Sequence, residues 1–181
     1  MTGAVAHPLI RSIAADGPML PTLVEQLPRR DGWRYEPKWD GFRCLAVIAD
    51  GQVDLRSRRA TELMPYFPEL ARPPSTLEGR HTVLDGEIVV LREGRPDFDA
   101  ISGRLAARRL ASWAAHTSPA TFVAFDLLEV DGRVVTDEPY QARRAALRHL
   151  GSTLCAGRSR RPIPTGRPCG PPRVTSVSKG S

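Results

Sequence analysis

One lysine stands apart from the other basic residues of this 181-residue chain. Of 26 lysines and arginines, only Lys38 and Lys179 are lysines. An ε-amine can lose its proton and attack an electrophile, whereas a guanidinium practically never does. The neighbours of Lys38 are residues that could orient polar partners or let the backbone approach a ligand: Glu36, Asp40, Gly41 and Arg43. This composition indicates a nucleophilic lysine, although spacing alone favours a surface lysine in a turn between two strands.

Three further stretches carry residues of chemical interest. Asp85-Gly86-Glu87 lies inside a run of valines and leucines, where two acids cost free energy unless something pairs them; a surface-facing glutamate on an edge strand is the alternative. Arg58 belongs to an arginine-rich strand end that also fits a solvated surface. Phe125 lies in a buried-strand pattern and is, by that pattern, a core residue.

Antiparallel hairpins and short helices are expected to position these residues. Dipeptides that tolerate positive φ predict three turns, at Asp50-Gly51, Glu93-Gly94 and Asp131-Gly132. The predicted strands are 42–49, 52–56, 82–92 and 121–130, and the predicted helices are 18–28, 98–113 with Asp97 as N-cap, and 141–150. Arg104, Arg108 and Arg109 are expected on the polar, solvated side of the second helix.

Composition indicates one soluble globular domain. Apolar residues make up 41% and charged residues 25% of the chain. No run of about 18 apolar residues appears, so no membrane span is expected, and the weakly apolar segment 1–10 does not resemble a signal peptide, so we expect a cytoplasmic location. Three scattered cysteines indicate neither a disulfide framework nor a zinc site.

The net charge of +6 is concentrated near the C-terminus. Up to Glu138 the chain has 17 basic and 20 acidic residues, and after it nine basic residues and no acid. Residues 151–181 lack apolar periodicity, so we expect a disordered basic tail; residues 1–17 are expected to form a loose lead-in. A basic chain favours nucleic acid as a partner, here through the tail.

The Lys38 segment resembles a known signature. It matches Glu-x-Lys-x-Asp-Gly-x-Arg of the covalent nucleotidyltransferases, which include ATP-dependent DNA ligases, RNA ligases and mRNA capping enzymes. Pro18-Met19-Leu20 and Trp33-x-Tyr35-Glu36-x-Lys38 most resemble bacterial ATP-dependent DNA ligases of the end-joining repair type. Further motifs of that family follow in order: the first half of Ser-Arg-Asn-Gly at Ser57-Arg58, Asp-Gly-Glu at 85–87 and Phe-Asp-Leu-Leu at 125–128.

The resemblance implies a fold and a reaction. The fold would be α+β, with antiparallel β-sheets and flanking helices in an incomplete ATP-grasp-like nucleotidyltransferase domain over 18–150. Lys38 would attack the α-phosphorus of ATP, form lysyl-AMP with Mg²⁺ as cofactor, and pass AMP to nicked double-stranded DNA, possible end-joining repair proteins being its partners. The implied roles are adenine reading or loop orientation for Glu36, phosphate or ribose contacts for Arg43 and Arg58, ribose and metal binding for Glu87, adenine stacking for Phe125, and a structural partnership with the lysine loop for Asp40.

Parts of the family pattern are missing. The family continues with a Glu-Gly-x-x-x-Lys strand, a Lys-x-Lys strand and an oligonucleotide-binding barrel, none of which follows here, so we expect impaired ligation. A frameshift near residue 151 would explain the loss, and a genuine short protein with a DNA-attracting tail is the competing explanation. A non-catalytic nucleotide- or DNA-binding remnant and an RNA ligase or capping-type enzyme remain alternatives.

Overall fold

A computed structural model describes residues 7–16, 34–151, 153–155 and 174–177. The strands are β1 Arg34–Pro37, β2 Phe42–Ala49, β3 Gln52–Ser57, β4 Thr82–Arg92, β5 Arg95–Pro96, β6 Ala120–Val130, β7 Arg133–Val134, β8 Thr153–Cys155 and β9 Val174–Val177. The α-helices are α1 Pro8–Asp16, α2 Phe98–Ala106, α3 Ala111–Thr117 and α4 Tyr140–Leu150, and short 3-10 helices cover Met64–Tyr66, Pro68–Leu70 and Arg108–Leu110.

An antiparallel sheet with the order β3-β2-β4-β6-β7 forms the centre of the described residues. β5 pairs with the end of β4, and β8 pairs with β6. The three turns lie where the sequence predicts them, since both residues of each turn dipeptide have positive φ, a conformation that glycine adopts without strain. Helices flank the sheet, which confirms the predicted α+β class.

The two faces of the sheet are covered differently. One face carries the main core, in which Phe67, Phe122 and Leu84 pack with Leu147 of α4. The other face carries a smaller cluster formed by Ile10 of α1 with Leu45, Val83 and Leu128. The prediction of a loose lead-in over residues 1–17 is therefore wrong for Pro8–Asp16, because burial of Ile10 gives this short helix a partner on the sheet.

The helix predicted over residues 98–113 is interrupted. Asp97 caps α2 as predicted, with its side chain accepting a hydrogen bond from the Ala100 backbone N–H at 3.0 Å. α2 then ends at Ala106, the next residue, Ala107, has φ −125° and ψ 57°, and α3 begins at Ala111. The break changes the helical register, and Leu110, which lies beyond it, is 51% exposed.

The position of Arg104 also differs from the sequence prediction for this segment. It was expected in solvent, but it is 5% exposed. Its guanidinium forms an ion pair with Glu69, donates to the Tyr66 carbonyl at 2.7 Å, and lies 4.8 Å from the centre of the Phe67 ring. A buried arginine is tolerated here because its charge is paired and hydrogen-bonded.

The two ends of the chain differ from expectation in other ways. The predicted helix over 18–28 lies outside the described residues. In the predicted disordered tail, β8 pairs with β6 and β9 pairs with β1, so the expectation of disorder does not hold for these seven residues. The predicted helix over 141–150 is present as α4. No helix in the described part of the chain is long and apolar enough to cross a membrane.

Candidate active site

Lys38 lies in the segment that connects β1 to β2. Its Nζ atom donates to Asp40 Oδ1 at 2.5 Å, and the side chain is 40% exposed. Asp40 is therefore in contact with the lysine, as expected for a structural partner of this loop. The amine is accessible to a ligand from solvent.

Gly41 allows the lysine segment to lie directly against β4. A Cβ atom at this position would lie 2.2 Å from the Ile88 carbonyl oxygen and 2.8 Å from Val89 Cγ1, so only glycine fits. The same Cβ atom would lie 3.0 Å from Glu87 Cγ, so the lysine segment also lies against Glu87. This contact brings two of the predicted site residues, Lys38 and Glu87, to neighbouring positions.

Arg43 of β2 is held by Asp85 of β4. Arg43 donates from Nε to Asp85 Oδ1 at 3.1 Å and from Nη2 to Oδ2 at 2.7 Å, and its guanidinium lies 5.3 Å from the centre of the Phe125 ring. Burial raises the pKa of Asp85, and the hydrogen bonds from Arg43 oppose that shift. Arg43 also pairs with Glu87 in the strand register. The pair fixes the guanidinium beside the Phe125 ring, at the strand position that is in register with Glu87.

Glu87 is a partly buried carboxylate with a shifted pKa. Burial raises its pKa to about 7, against the opposing effects of Arg43, the Gly41 backbone and Lys38. Burial disfavours the ionised form of this carboxylate, and a bound cation would stabilise that form. The described residues contain no cluster of three or more metal-ligating side chains, so a magnesium ion here would combine Glu87 with phosphate oxygens of a nucleotide, the way Mg²⁺ is usually bound.

Phe125 faces the site side of the sheet and not the main core. Its neighbours Phe122 and Ala124 belong to the main core, whereas Phe125 is half-buried beside Arg43. The simple interpretation of Phe125 as a core residue is therefore wrong. The ring is available to contact a flat ligand.

Gly86 shapes the same strand pair. A Cβ atom on Gly86 would lie 2.5 Å from Phe122 Cζ and 2.5 Å from the Val123 carbonyl oxygen. The ladder between β4 and β6 also changes register between Asp85 and Gly86. A bulge at this position re-aims the side chains around it.

Arg58 is exposed just beyond the end of β3. Ser57, the residue before it, pairs with Cys44, and its Oγ accepts hydrogen bonds from the backbone N–H groups of Arg59 and Thr61 at 3.3 and 3.1 Å. The turn includes Ala60 at a φ of 60°. This turn differs in sequence from the family motif, yet a serine hydroxyl stabilises it. The contacts of the described residues do not join Arg58 to the other predicted site residues.

Glu36 contacts α4. Its Oε1 atom accepts a hydrogen bond from the Tyr140 hydroxyl at 2.6 Å and forms an ion pair with Arg144, whose Nε lies 3.0 Å away. Next to this pair, Arg143 donates to both carboxylate oxygens of Asp126, each at 2.9 Å. Sequence reasoning assigned no role to Asp126, Tyr140, Arg143 and Arg144, and for Asp85 it predicted the need for a partner without identifying Arg43. The position of Asp85 in an apolar strand was a signal that it needs a partner, whereas no local pattern marks the residues of α4.

A lysine beside a carboxylate with a raised pKa, a fixed arginine and a half-buried aromatic ring on one sheet face is an arrangement suited to a nucleotide. Residues 18–154 match the family described as the ATP dependent DNA ligase domain. The chain belongs to this family.

Individual relatives are bacterial ligases. The chain is 44% identical over 132 residues to DNA ligase C2 of Mycolicibacterium smegmatis, covering 72% of this chain and 36% of the relative. It is 40% identical over 140 residues to the bifunctional non-homologous end joining protein LigD of Bacillus subtilis, covering 73% of this chain and 23% of LigD. The chain thus spans about a third or less of these relatives' lengths.

A solved structure is similar in fold. A mycobacterial DNA ligase D complexed with ATP and MES shares 35% sequence identity and a TM-score of 0.57, over 68% of this chain and 38% of that chain. The ligase domain of LigD from M. tuberculosis gives a TM-score of 0.54 at 36% identity, over 65% and 36% of the two chains. The fold is that of the ligase nucleotidyltransferase domain.

Proposed function

We propose that this domain forms a covalent lysyl-AMP intermediate on Lys38 and donates the AMP to the 5′-phosphate of nicked DNA. The observation that carries the proposal is the contact of the lysine segment with Glu87, with Arg43 and Phe125 on the same sheet face. Nucleotide transfer requires a nucleophile, a carboxylate that can bind a metal ion, an arginine that can bind phosphate, and an aromatic ring that can contact the base.

Lys38 carries the bond-forming step. The lone pair of neutral Nζ attacks the α-phosphorus of ATP, the new N–P bond forms, and the bond from the α-phosphorus to the bridging oxygen breaks so that pyrophosphate leaves with the electron pair. The amine gives its proton to solvent before it attacks, and positive charge close to the site, from Arg43 and from a bound Mg²⁺, would favour the neutral amine.

The other site residues bind and orient ATP. Phe125 stacks on the adenine, Glu36 reads the base, and Arg43 and Arg58 contact phosphate or ribose oxygens. Glu87 binds the ribose and holds Mg²⁺, which when bound neutralises charge on the phosphates. Because Asp85 already holds Arg43 through both carboxylate oxygens, Arg43 presents its charge in a fixed orientation.

The proposal includes a role in end-joining repair, the process that the names of the LigD relatives give. The 3′-hydroxyl at the nick would displace AMP and complete the seal. We expect this chain by itself to seal nicks poorly, because the sequence contains no lysine between Lys38 and Lys179 to take the phosphate contacts of the family's later lysines.

Pyrophosphate release tests the proposal. Without DNA, the chain with ATP and Mg²⁺ should release about one pyrophosphate per chain and then stop, since each lysine reacts once. Nicked duplex DNA should allow further release, whereas intact duplex should not. A folded chain that binds ATP and releases no pyrophosphate would contradict the proposal and favour a non-catalytic nucleotide-binding domain.

A further inference from the structure

The N-terminal half of α4 contacts two segments of the site at once. Tyr140 and Arg144 bind Glu36, which precedes Lys38 by two residues. Arg143 binds Asp126, the residue that follows Phe125. One helix therefore connects the lysine segment to the strand that carries the aromatic ring.

Both contacts to Glu36 fall on the same carboxylate oxygen, and both come from donors. The Tyr140 hydroxyl remains a donor because burial, and then the hydrogen bond to Glu36, raise its pKa. The Glu36 side chain is 16% exposed, so it is held and not freely rotating in solvent. Donors on Oε1 leave Oε2 as the oxygen that can accept from a ligand.

A carboxylate oxygen held in a fixed position can distinguish adenine from guanine. Adenine has an amino donor at the position where guanine has a carbonyl acceptor. A fixed carboxylate oxygen accepts a hydrogen bond from the adenine amino group and repels the guanine carbonyl. A carboxylate that could turn away would lose this discrimination, because rejection requires that the wrong ligand leave a polar group unpaired.

A second observation concerns Arg144. Its Nη1 atom is buried and has no hydrogen-bond partner within the described part of the chain. Leaving a buried donor without an acceptor is costly. The nitrogen of this guanidinium that is paired is Nε, and its partner is Glu36.

We propose that Tyr140 and Arg144 are positioning residues that hold Glu36 in the orientation that selects adenine over guanine. The inference rests on the proposed function, in which Glu36 reads the base. It assigns the nucleotide preference of the site to α4, about a hundred residues away in sequence from the lysine motif.

Equilibrium binding of two unreactive nucleotides tests the inference. The probes are the α,β-methylene analogues of ATP and GTP, which cannot transfer the nucleotide, and the full chain is compared with Tyr140→Phe and Arg144→Gln. Each substitution should reduce the ratio of the two dissociation constants about tenfold, the effect of losing one hydrogen bond of ordinary strength. Arg148→Gln, an exposed arginine one turn further along α4, is the matched control and should leave the ratio unchanged.

Each outcome decides for or against the inference. A ratio unchanged in both variants, or an equal weakening for both analogues, would overturn it and leave α4 with a structural role. Tyr140→Phe keeps the ring and removes one oxygen, so it remains informative if Arg144→Gln fails to fold. A parent that prefers the adenine analogue but forms no adduct with ATP contradicts the adenylation proposal alone, and a parent that binds neither analogue overturns the inference.

Discussion

At the residue scale, Glu87 connects the electrostatics of the site to pH. Its pKa rises from 4.5 in an unperturbed glutamate to about 7 in the fold, chiefly by burial. A group with a raised folded-state pKa contributes stability below its unfolded pKa and loses it as pH rises through the folded value. Glu87 should therefore destabilise the fold progressively between pH 4.5 and about 7.

Glu87→Gln should remove this pH dependence. At pH 8 the variant should be more stable than the parent, with an upper bound of about 3 kcal/mol from the size of the shift, and at pH 4.5 the two should be nearly equal. Urea unfolding at both values measures the difference, and Glu78→Gln, an exposed glutamate, is the control. Equal pH profiles for the parent and Glu87→Gln would contradict the assignment.

Magnesium should act through the same carboxylate. At pH 8, added Mg²⁺ and an ATP analogue should raise the melting temperature of the parent more than that of Glu87→Gln, because binding to the folded state alone stabilises it. Thermal unfolding with and without the ion provides the measurement. A shift of the same size in both proteins would show that Glu87 does not hold the metal.

At the element scale, the contact of the lysine segment with β4 depends on one glycine. Gly41→Ala should lower the free energy of unfolding by about 2 kcal/mol, because the added carbon overlaps the Ile88 carbonyl and the backbone must shift. The same change at Gly103 of α2, where a Cβ atom meets nothing within 4 Å, should stabilise the protein by about 0.5–1 kcal/mol. Denaturant unfolding of the two variants compares them, and equal effects would contradict the close approach.

Arg104 connects α2 to the 3-10 helices that contain Tyr66 and Glu69. Arg104→Met should lower the free energy of unfolding by about 3 kcal/mol, because Glu69 is then buried without its partner. Arg108→Met, an exposed arginine in the adjoining 3-10 helix, should change little. Similar stabilities of the two variants in urea would show that the buried ion pair is not needed.

Local signals explain which elements the sequence could predict. The hairpins were predictable because Asp-Gly and Glu-Gly dipeptides determine turn geometry within a few residues. The burial of Arg104 was not, because it depends on Glu69, which is 35 residues away, and no local pattern marks the break after α2. Candidate site residues followed from motifs, but the contacts of Glu36 with α4 span 104 residues and leave no local pattern.

At the scale of the whole molecule, the main core and the candidate site lie on opposite faces of the sheet. One face carries the main core, and the other carries α1 at one end and the site residues at the other. The family similarity extends to residue 154, and β8 adds to the sheet there. The predicted roles of the site residues, the ligation defect and the frameshift hypothesis stay predictions.

Intact-mass measurement after incubation with ATP and Mg²⁺ tests the central claim most directly. The parent should gain the mass of one AMP. Lys38→Ala should gain nothing, whereas Lys179→Ala, which removes the only other lysine, should react like the parent. An AMP adduct that persists in a correctly folded Lys38→Ala protein, or no adduct on the folded parent, would contradict the account.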